Sequence, residues 1–246
     1  KIMSTRVLVT GGAGYIGTRL VSELLQRKYK VIVYDNLMYN QNTLIPFFIN
    51  DNFSFIYEDI RDKDKISHAL KNCDVVIHLA SIVGAPACKK NKSLAQEVNV
   101  VGTKNIVDSL SKNQILLFAS TGSIYGKIEG MCDEDWSPNP LSKYGITKLE
   151  GELMSLEREN SIAFRFATAY GLSPRLRLDL LPNDFVLNAI LNKYLVIYDK
   201  DFRRTFIHIF DIVRSYIHMI DNFETLKGEA YNIGYEENNF TKEGLV

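Results

Sequence analysis

A chain of 246 residues suffices for one large domain, or for one domain with a smaller appendage. At 46% hydrophobic and 24% charged it has the balance of a soluble globular protein, which excludes wholesale disorder. Its 29 basic and 29 acidic side chains cancel, removing any overall pull toward nucleic acid or an anionic membrane, so neither partner is expected.

The chain opens on Lys1, which makes Met3 a candidate natural start. No secretory leader is expected, because Arg6–Thr10 runs straight into glycines. Short runs rich in β-branched residues at Arg6–Thr10, Val31–Asp35, Phe53–Tyr57, Asp74–Leu79, Ile115–Ala119 and Ser161–Phe166 predict strands. Between them Tyr15–Lys28, Asp62–Leu70, Ser93–Ser111 and Lys143–Glu159 carry apolar residues at three- and four-residue spacing and predict helices. Ile16, Leu20, Leu24 and Leu25 form one such stripe. This alternation predicts an α/β fold, a Rossmann-type doubly wound parallel sheet covered on both faces. No apolar stretch approaches the ~18–20 residues that a membrane-spanning helix needs. Cys73, Cys88 and Cys132 are odd in number and well separated, which fits a reducing cytoplasm without disulfides, and no Cys/His spacing suggests a metal.

After Tyr170 the pattern changes. Ser173-Pro174 and Leu181-Pro182 interrupt it, a helix is predicted over Asp184–Asn192, and short strands are predicted at Leu195–Tyr198 and near Phe206–Ile209. The division expected is a dinucleotide-binding domain over residues 1–170 and a smaller substrate-binding lobe over 171–246, interleaved with the last sheet elements. The chain closes at Thr241–Val246 as a helix begins, so that lobe is expected to be incomplete.

The first strand ends in Thr10-Gly11-Gly12-Ala13-Gly14-Tyr15-Ile16-Gly17, which satisfies both G-x-G-x-x-G and G-x-x-G-x-x-G. A turn without side chains lets backbone amides at a helix N-terminus approach a pyrophosphate. Alone the pattern is weak, but here it follows a strand, opens a helix, and is followed by Asp35 at the end of the second strand. An acid there suits the adenine ribose hydroxyls and repels a 2′-phosphate, so NAD is favoured over NADP. A second constellation is Tyr144-Gly145-Ile146-Thr147-Lys148, whose Tyr and Lys share one helical face. The Lys charge is expected to lower the Tyr from its usual ~10 toward neutrality. By itself such a pair is usually a solvated helix face. Behind a dinucleotide turn, and after Ser120-Thr121-Gly122-Ser123-Ile124-Tyr125-Gly126 at a strand end, the catalytic alternative gains weight.

On these segments the sequence resembles the extended short-chain dehydrogenases/reductases, in particular the NAD-dependent epimerase/dehydratase group acting on nucleotide sugars. The resemblance runs from Arg6 to Gly234 and includes Asp59-Ile60, His78-Leu79-Ala80-Ser81, Asn99-Val100-Val101-Gly102-Thr103, Arg165–Gly171, Arg204–His208 and Tyr231–Gly234. It implies that Tyr144 is the general base at a sugar hydroxyl, usually on C4. Lys148 would lower its pKa and hold the nicotinamide ribose, and Thr121 would hydrogen-bond the same sugar oxygen. It further implies NAD contacts from Gly11, Gly14, Tyr15, Ile16, Gly17, Asp35, Asn36, Asp59, Ile60, Leu79, Ala80 and Ser81, besides Tyr144 and Lys148. The substrate contacts implied are Val83, Gly84, Ser123, Asn183 and Arg204, the last two on the diphosphate. A homodimer built from the helices at Ser93–Ser111 and Lys143–Glu159 is implied too.

The 4,6-dehydratases of this group carry an Asp-Glu pair directly after the Ser/Thr, and the related decarboxylases a Glu at the second position. Here Gly122 and Ser123 stand instead, and neither removes a proton from carbon near neutrality. Dehydratase and decarboxylase activities are therefore disfavoured. Val83-Gly84-Ala85-Pro86 and Gly171–Phe185 resemble a subgroup serving bacterial surface-polysaccharide synthesis.

Other candidates have plainer readings. His78 is expected to be a core histidine satisfied by neighbouring backbone, and His208 to be structural as well. Cys88 is expected to be an inert thiol. The run Lys89-Lys90-Asn91-Lys92 is expected to be a solvated loop. Arg175 and Arg177 either touch substrate or pair with Asp179. The sequence thus points to an NAD-dependent epimerase or dehydrogenase of a nucleotide-diphosphate sugar. The competing class is a non-catalytic dinucleotide sensor, which typically lacks the Tyr/Lys pair retained here.

Overall fold

The computed structural model describes residues 5–128, 130 and 132–246, so the candidate start at Met3 lies outside the described residues. Its elements, in chain order, begin with β1 (Arg6–Thr10), α1 (Tyr15–Gln26), β2 (Lys30–Asp35), β3 (Phe53–Tyr57), α2 (Lys63–Leu70) and β4 (Val75–His78). There follow α3 (Ala85–Lys90), α4 (Lys92–Gln96), α5 (Thr103–Ser109), β5 (Ile115–Thr121), α6 (Lys143–Leu156), β6 (Ser161–Phe166) and β7 (Thr168–Tyr170). The last are α7 (Leu181–Asn192), β8 (Arg203–His208), α8 (Ile209–Asp221), α9 (Phe223–Leu226), β9 (Ala230–Ile233) and β10 (Asn239–Thr241).

Seven strands form an all-parallel sheet in the order β3-β2-β1-β4-β5-β6-β9. This is the doubly wound α/β arrangement. Val7, Leu8 and Val9 of β1 are wholly buried, because the strand has a neighbour on each edge and helices over each face. One face packs Val9, Val33, Leu117 and Phe164 against Leu20 and Leu24 of α1 and Ile212 and Tyr216 of α8. There the Phe164 and Tyr216 rings stack with centroids 4.3 Å apart. The other face packs Leu8, Val76 and Leu116 against Ile66 and Leu70 of α2 and Ile106 of α5. The chain direction of winding reverses between β1 and β4, and at such a switch point the carboxyl ends of the strands leave a crevice.

Local chemistry explains most element ends. Asp62 caps α2 by accepting from the Lys65 amide at 3.1 Å, and Ser142 caps α6 by accepting from the Gly145 amide at 3.1 Å. Helix α7 begins three residues before the predicted Asp184, because Pro182 falls in its first turn, where no amide hydrogen is needed. The predicted helix over Ser93–Ser111 is instead α4, a π turn over Glu97–Gly102, and α5. That turn delivers the buried Asn99 amide to Ile82: its oxygen accepts from the Ile82 amide at 2.7 Å, and its nitrogen donates to the Ile82 carbonyl at 3.0 Å. The run Lys89–Lys92 is not a loop, for it ends α3 and, past the capping Asn91, begins α4.

A smaller sheet runs β10-β8-β7, with β7 and β8 parallel and β10 antiparallel to β8. The strand predicted at Leu195–Tyr198 does not form, because none of the described strands pairs with it. The helix expected to begin at Thr241 is a single 3₁₀ turn over Glu243–Leu245.

Candidate active site

A cleft of about 750 Å³ opens at the carboxyl ends of β1 and β4. Its floor is the glycine turn. Gly11 adopts φ +69°, and a Cβ there would lie 2.7 Å from the Ala80 amide nitrogen. A Cβ on Gly17 would lie 2.5 Å from the Gly11 carbonyl oxygen, so α1 and the turn touch only because both positions are bare. The amides of Thr18 and Gly14 are taken by the carbonyls of Gly14 and Gly11. Those opening α1 have no acceptor within the helix and form an anion cradle.

At the end of β2, the Asp35 carboxylate accepts from the Ala13 amide at 3.0 Å and the Leu37 amide at 2.8 Å. Burial pushes this carboxyl up, and the two amides pull it partly back. Asn36 donates to Asp59 at 2.8 Å, and Arg61 clamps the same carboxylate at 2.9 and 3.0 Å. Burial alone would raise Asp59, but the bonds from Arg61 and Asn36 prevail and hold it below the usual carboxylate range. The bare cradle, the acid poised over it and the apolar Ile60 fit NAD, whose pyrophosphate needs amides and whose ribose hydroxyls need an acceptor.

The second wall comes from β5 and α6. Thr121, Tyr144 and Lys148 all line the cleft. Burial pushes the Tyr144 phenol up to about 12, against the neighbouring Thr121 hydroxyl and Arg177 guanidinium, which lower it. Lys148 is itself 4% exposed, over the face of Phe118 at 4.2 Å, and burial pulls its ammonium down to about 7 against the support of Glu152. Sequence reasoning missed what lies beneath. Glu152, one turn along α6 and 1% exposed, accepts from Ser120 and from Arg165 at 2.7 and 3.0 Å. The spacing Lys148 to Glu152 on one helical face was the available signal.

On the substrate side Val83, Gly84, Ser123 and Arg204 line the same cleft, joined by Arg175, Arg177 and Lys242. Arg177 is held on Asp179 by two bonds of 2.6 and 2.7 Å, and Arg175 lies over the Tyr39 ring at 4.1 Å. Every candidate cofactor residue also lines the cleft. Asn183 is not brought to it: its oxygen accepts from the Gly171 amide at 3.0 Å and its nitrogen donates to the Arg177 carbonyl at 3.0 Å. Its amide is spent on loop structure rather than turned to a diphosphate.

His78 is satisfied by two hydroxyls, not by backbone. Thr10 lies 2.7 Å from Nδ1 and Thr103 2.9 Å from Nε2. Thr103 donates to the Asn99 carbonyl and so accepts from His78, which assigns the ring proton to Nε2. Burial, with Lys148 behind it, pulls the imidazole down to about 3. His208 caps α8 by accepting from the Phe210 amide at 3.3 Å. Burial pushes the Cys88 thiol up, and it donates to the Ile82 carbonyl at 3.2 Å. Among the described residues no group of His, Cys, Asp and Glu is arranged to hold a metal ion.

Comparison with known proteins places this geometry. The model of the NAD dependent epimerase/dehydratase family matches residues 7–234. The uncharacterized UDP-glucose epimerase YtcB of Bacillus subtilis is 32% identical over 94% of this chain and 77% of its own. The UDP-glucuronic acid 4-epimerase of Bacillus cereus, solved with UDP-glucuronic acid and NAD, superposes with a TM-score of 0.87 at 30% identity. That alignment covers 98% of this chain and 80% of that one. The dTDP-glucose 4,6-dehydratase of Bacillus anthracis, solved with NAD, gives 0.84 at 26% identity over 97% and 77%.

Proposed function

This chain belongs to the NAD dependent epimerase/dehydratase family, and from that premise we propose that it is an epimerase or dehydrogenase acting at C4 of a nucleotide-diphosphate sugar. The cofactor is NAD. The observation that carries the reading is the convergence of Thr121, Tyr144 and Lys148 on one cleft beside the glycine turn, with Gly122 and Ser123 where an acid pair would stand.

In this reading Tyr144 must first lose its own proton, and its phenolate oxygen then takes the proton of the C4 hydroxyl while the Thr121 hydroxyl donates to the same sugar oxygen as its charge changes. Lys148, pulled down to about 7, exchanges its proton with the site close to neutrality, and Glu152 beneath it favours the charged form. NAD, when bound, supplies the acceptor and later the donor of the C4 hydride. Arg204 offers a planar cation to the nucleotide diphosphate, and Val83 and Gly84 leave room for the sugar. Elimination of water is not part of the proposal, because no carboxyl follows Thr121.

The wider setting proposed is bacterial surface-polysaccharide synthesis in the cytoplasm. No described helix is long and apolar enough to cross a membrane. A homodimer through α4, α5 and α6 belongs to the same proposal, as does a division between a cofactor domain over 1–170 and a substrate lobe over 171–246.

The deciding experiment incubates the protein with NAD and a panel of UDP- and dTDP-sugars, following NADH absorbance and product stereochemistry together. Net NADH with a keto product means a dehydrogenase. A new C4 epimer without net NADH means an epimerase. Tight NAD binding with no turnover of any nucleotide sugar would sink the enzymatic reading in favour of a sensor.

A further inference from the structure

Tyr15 opens α1 on the rim of the glycine turn, yet its side chain leaves that turn. Its hydroxyl donates to the Gly171 carbonyl at 2.6 Å, across 156 residues of chain. Its own carbonyl accepts from the Ser173 hydroxyl at 2.7 Å, a buried bond. One turn further, Arg19 donates to the Leu172 carbonyl at 3.0 Å.

Gly171 leaves no room for a side chain. It adopts φ +109°, and a Cβ there would lie 2.6 Å from the His208 ring. From this fixed point Asn183 carries the constraint onward, bonded at one end to the Gly171 amide and at the other to the Arg177 carbonyl. Arg177, braced on Asp179, lines the cleft with Tyr144, as Arg175 of the same loop does. The turn that takes the dinucleotide and the loop that walls the substrate side are thus one hydrogen-bonded unit.

We propose that Tyr15 is a positioning residue that ties the 171–183 loop to the glycine turn, so that NAD on the turn fixes Arg177 beside the substrate. The coupling follows from order. A ligand that stills one end of a bonded unit lowers the entropy cost of ordering the other end, and the effect is reciprocal. The inference rests on NAD at the glycine turn and not on the identity of the sugar.

The test is amide hydrogen exchange of the wild type and of Tyr15→Phe, each with and without saturating NAD. Ser173→Ala serves as a second variant that cuts the same clasp from the loop side. In the wild type NAD slows exchange both in the 11–17 turn and in the 171–183 loop. In Tyr15→Phe the turn is still protected, but the loop's NAD-dependent protection falls roughly three- to tenfold, the worth of one net hydrogen bond. Ser173→Ala loses part of the same protection. A merely structural bond would quicken the loop equally with and without NAD, and that result overturns the proposal. So does a wild-type loop indifferent to NAD. Loss of turn protection in Tyr15→Phe also overturns it, since Tyr15 would then serve the cofactor directly. Absence of sugar turnover with this coupling intact would count against the proposed reaction alone.

Discussion

The Asp35 carboxylate accepts from the Ala13 amide at 3.0 Å, so the acid at the end of β2 also braces the turn that bears the pyrophosphate cradle. One side chain therefore sets both the shape of the cradle and the charge beside it. Asp35→Ala is expected to weaken NAD binding about tenfold or more, the worth of charge-assisted hydrogen bonds. It should weaken NADP binding less, because a repelling charge goes too. Titration of both dinucleotides checks this, and an unchanged ratio of affinities would remove Asp35 as the discriminating group.

Tyr144→Phe deletes the phenol oxygen and nothing that shapes the glycine turn. Turnover should fall by about 10²–10⁴, the usual worth of a positioned acid–base group, with NAD affinity unchanged. Steady-state rates alongside a dinucleotide titration measure both. A rate within a few-fold of wild type would move the proton chemistry to another residue.

Lys148→Met should abolish turnover and yet stabilise the protein without cofactor. The folded ammonium sits at about 7, well below its unfolded value of 10.5. Between those values the unfolded chain holds a proton that the folded one releases, so stability rises with pH across that window. Replacing the ammonium should gain about 1–2 kcal/mol at pH 7, and the gain should shrink as pH climbs toward 10. Denaturant unfolding at several pH values reads it. A destabilised Lys148→Met would mean that the buried charge is satisfied after all.

His78 gives the same sign of pH dependence in a lower, acidic window. It is held neutral down to about 3 in the fold but takes a proton at 6.5 when unfolded. Its contribution is therefore complete above 6.5 and lost as pH falls toward 3, at up to about 1.4 kcal/mol per pH unit. The wild type should lose stability between pH 6 and 4 more steeply than His78→Asn by about that slope. Parallel curves for the two proteins would contradict it.

Tyr216 stacks on Phe164 with its hydroxyl buried and without a hydrogen-bond partner among the described residues. Tyr216→Phe keeps the rings and removes the uncompensated polar atom, so it should be neutral or stabilising by up to about 1–2 kcal/mol. Thermal unfolding decides between that and a loss.

Six of the seven strands of the large sheet were legible as short β-branched runs, a pattern that needs no knowledge of the partner; the partly buried β9 was not. Leu195–Tyr198 has the same composition but no neighbouring edge, and composition does not show a missing partner. Helix α8 was not among the predicted helices, although Ile209, Ile212, Val213, Tyr216 and Ile217 carry helical spacing along it. The π turn at Glu97–Gly102 was not readable, since it is fixed by what Asn99 reaches across space. In the site, spacing brought Tyr144 and Lys148 forward and the family resemblance added Thr121, whereas the Tyr144 phenol depends on burial, a tertiary property. Asn183 shows the same limit, because its bonds to Gly171 and Arg177 belong to the folded loop alone.

Helix α8 covers the same side of the sheet as α1, and its residues follow β8 late in the chain. A nascent chain that has released β1 to β5 holds the whole glycine turn but can shelter only part of that face. Phe164, once β6 follows, then lacks its stacking cover until Tyr216 emerges. The price is a window of aggregation during synthesis, in which chaperones have an apolar sheet to hold.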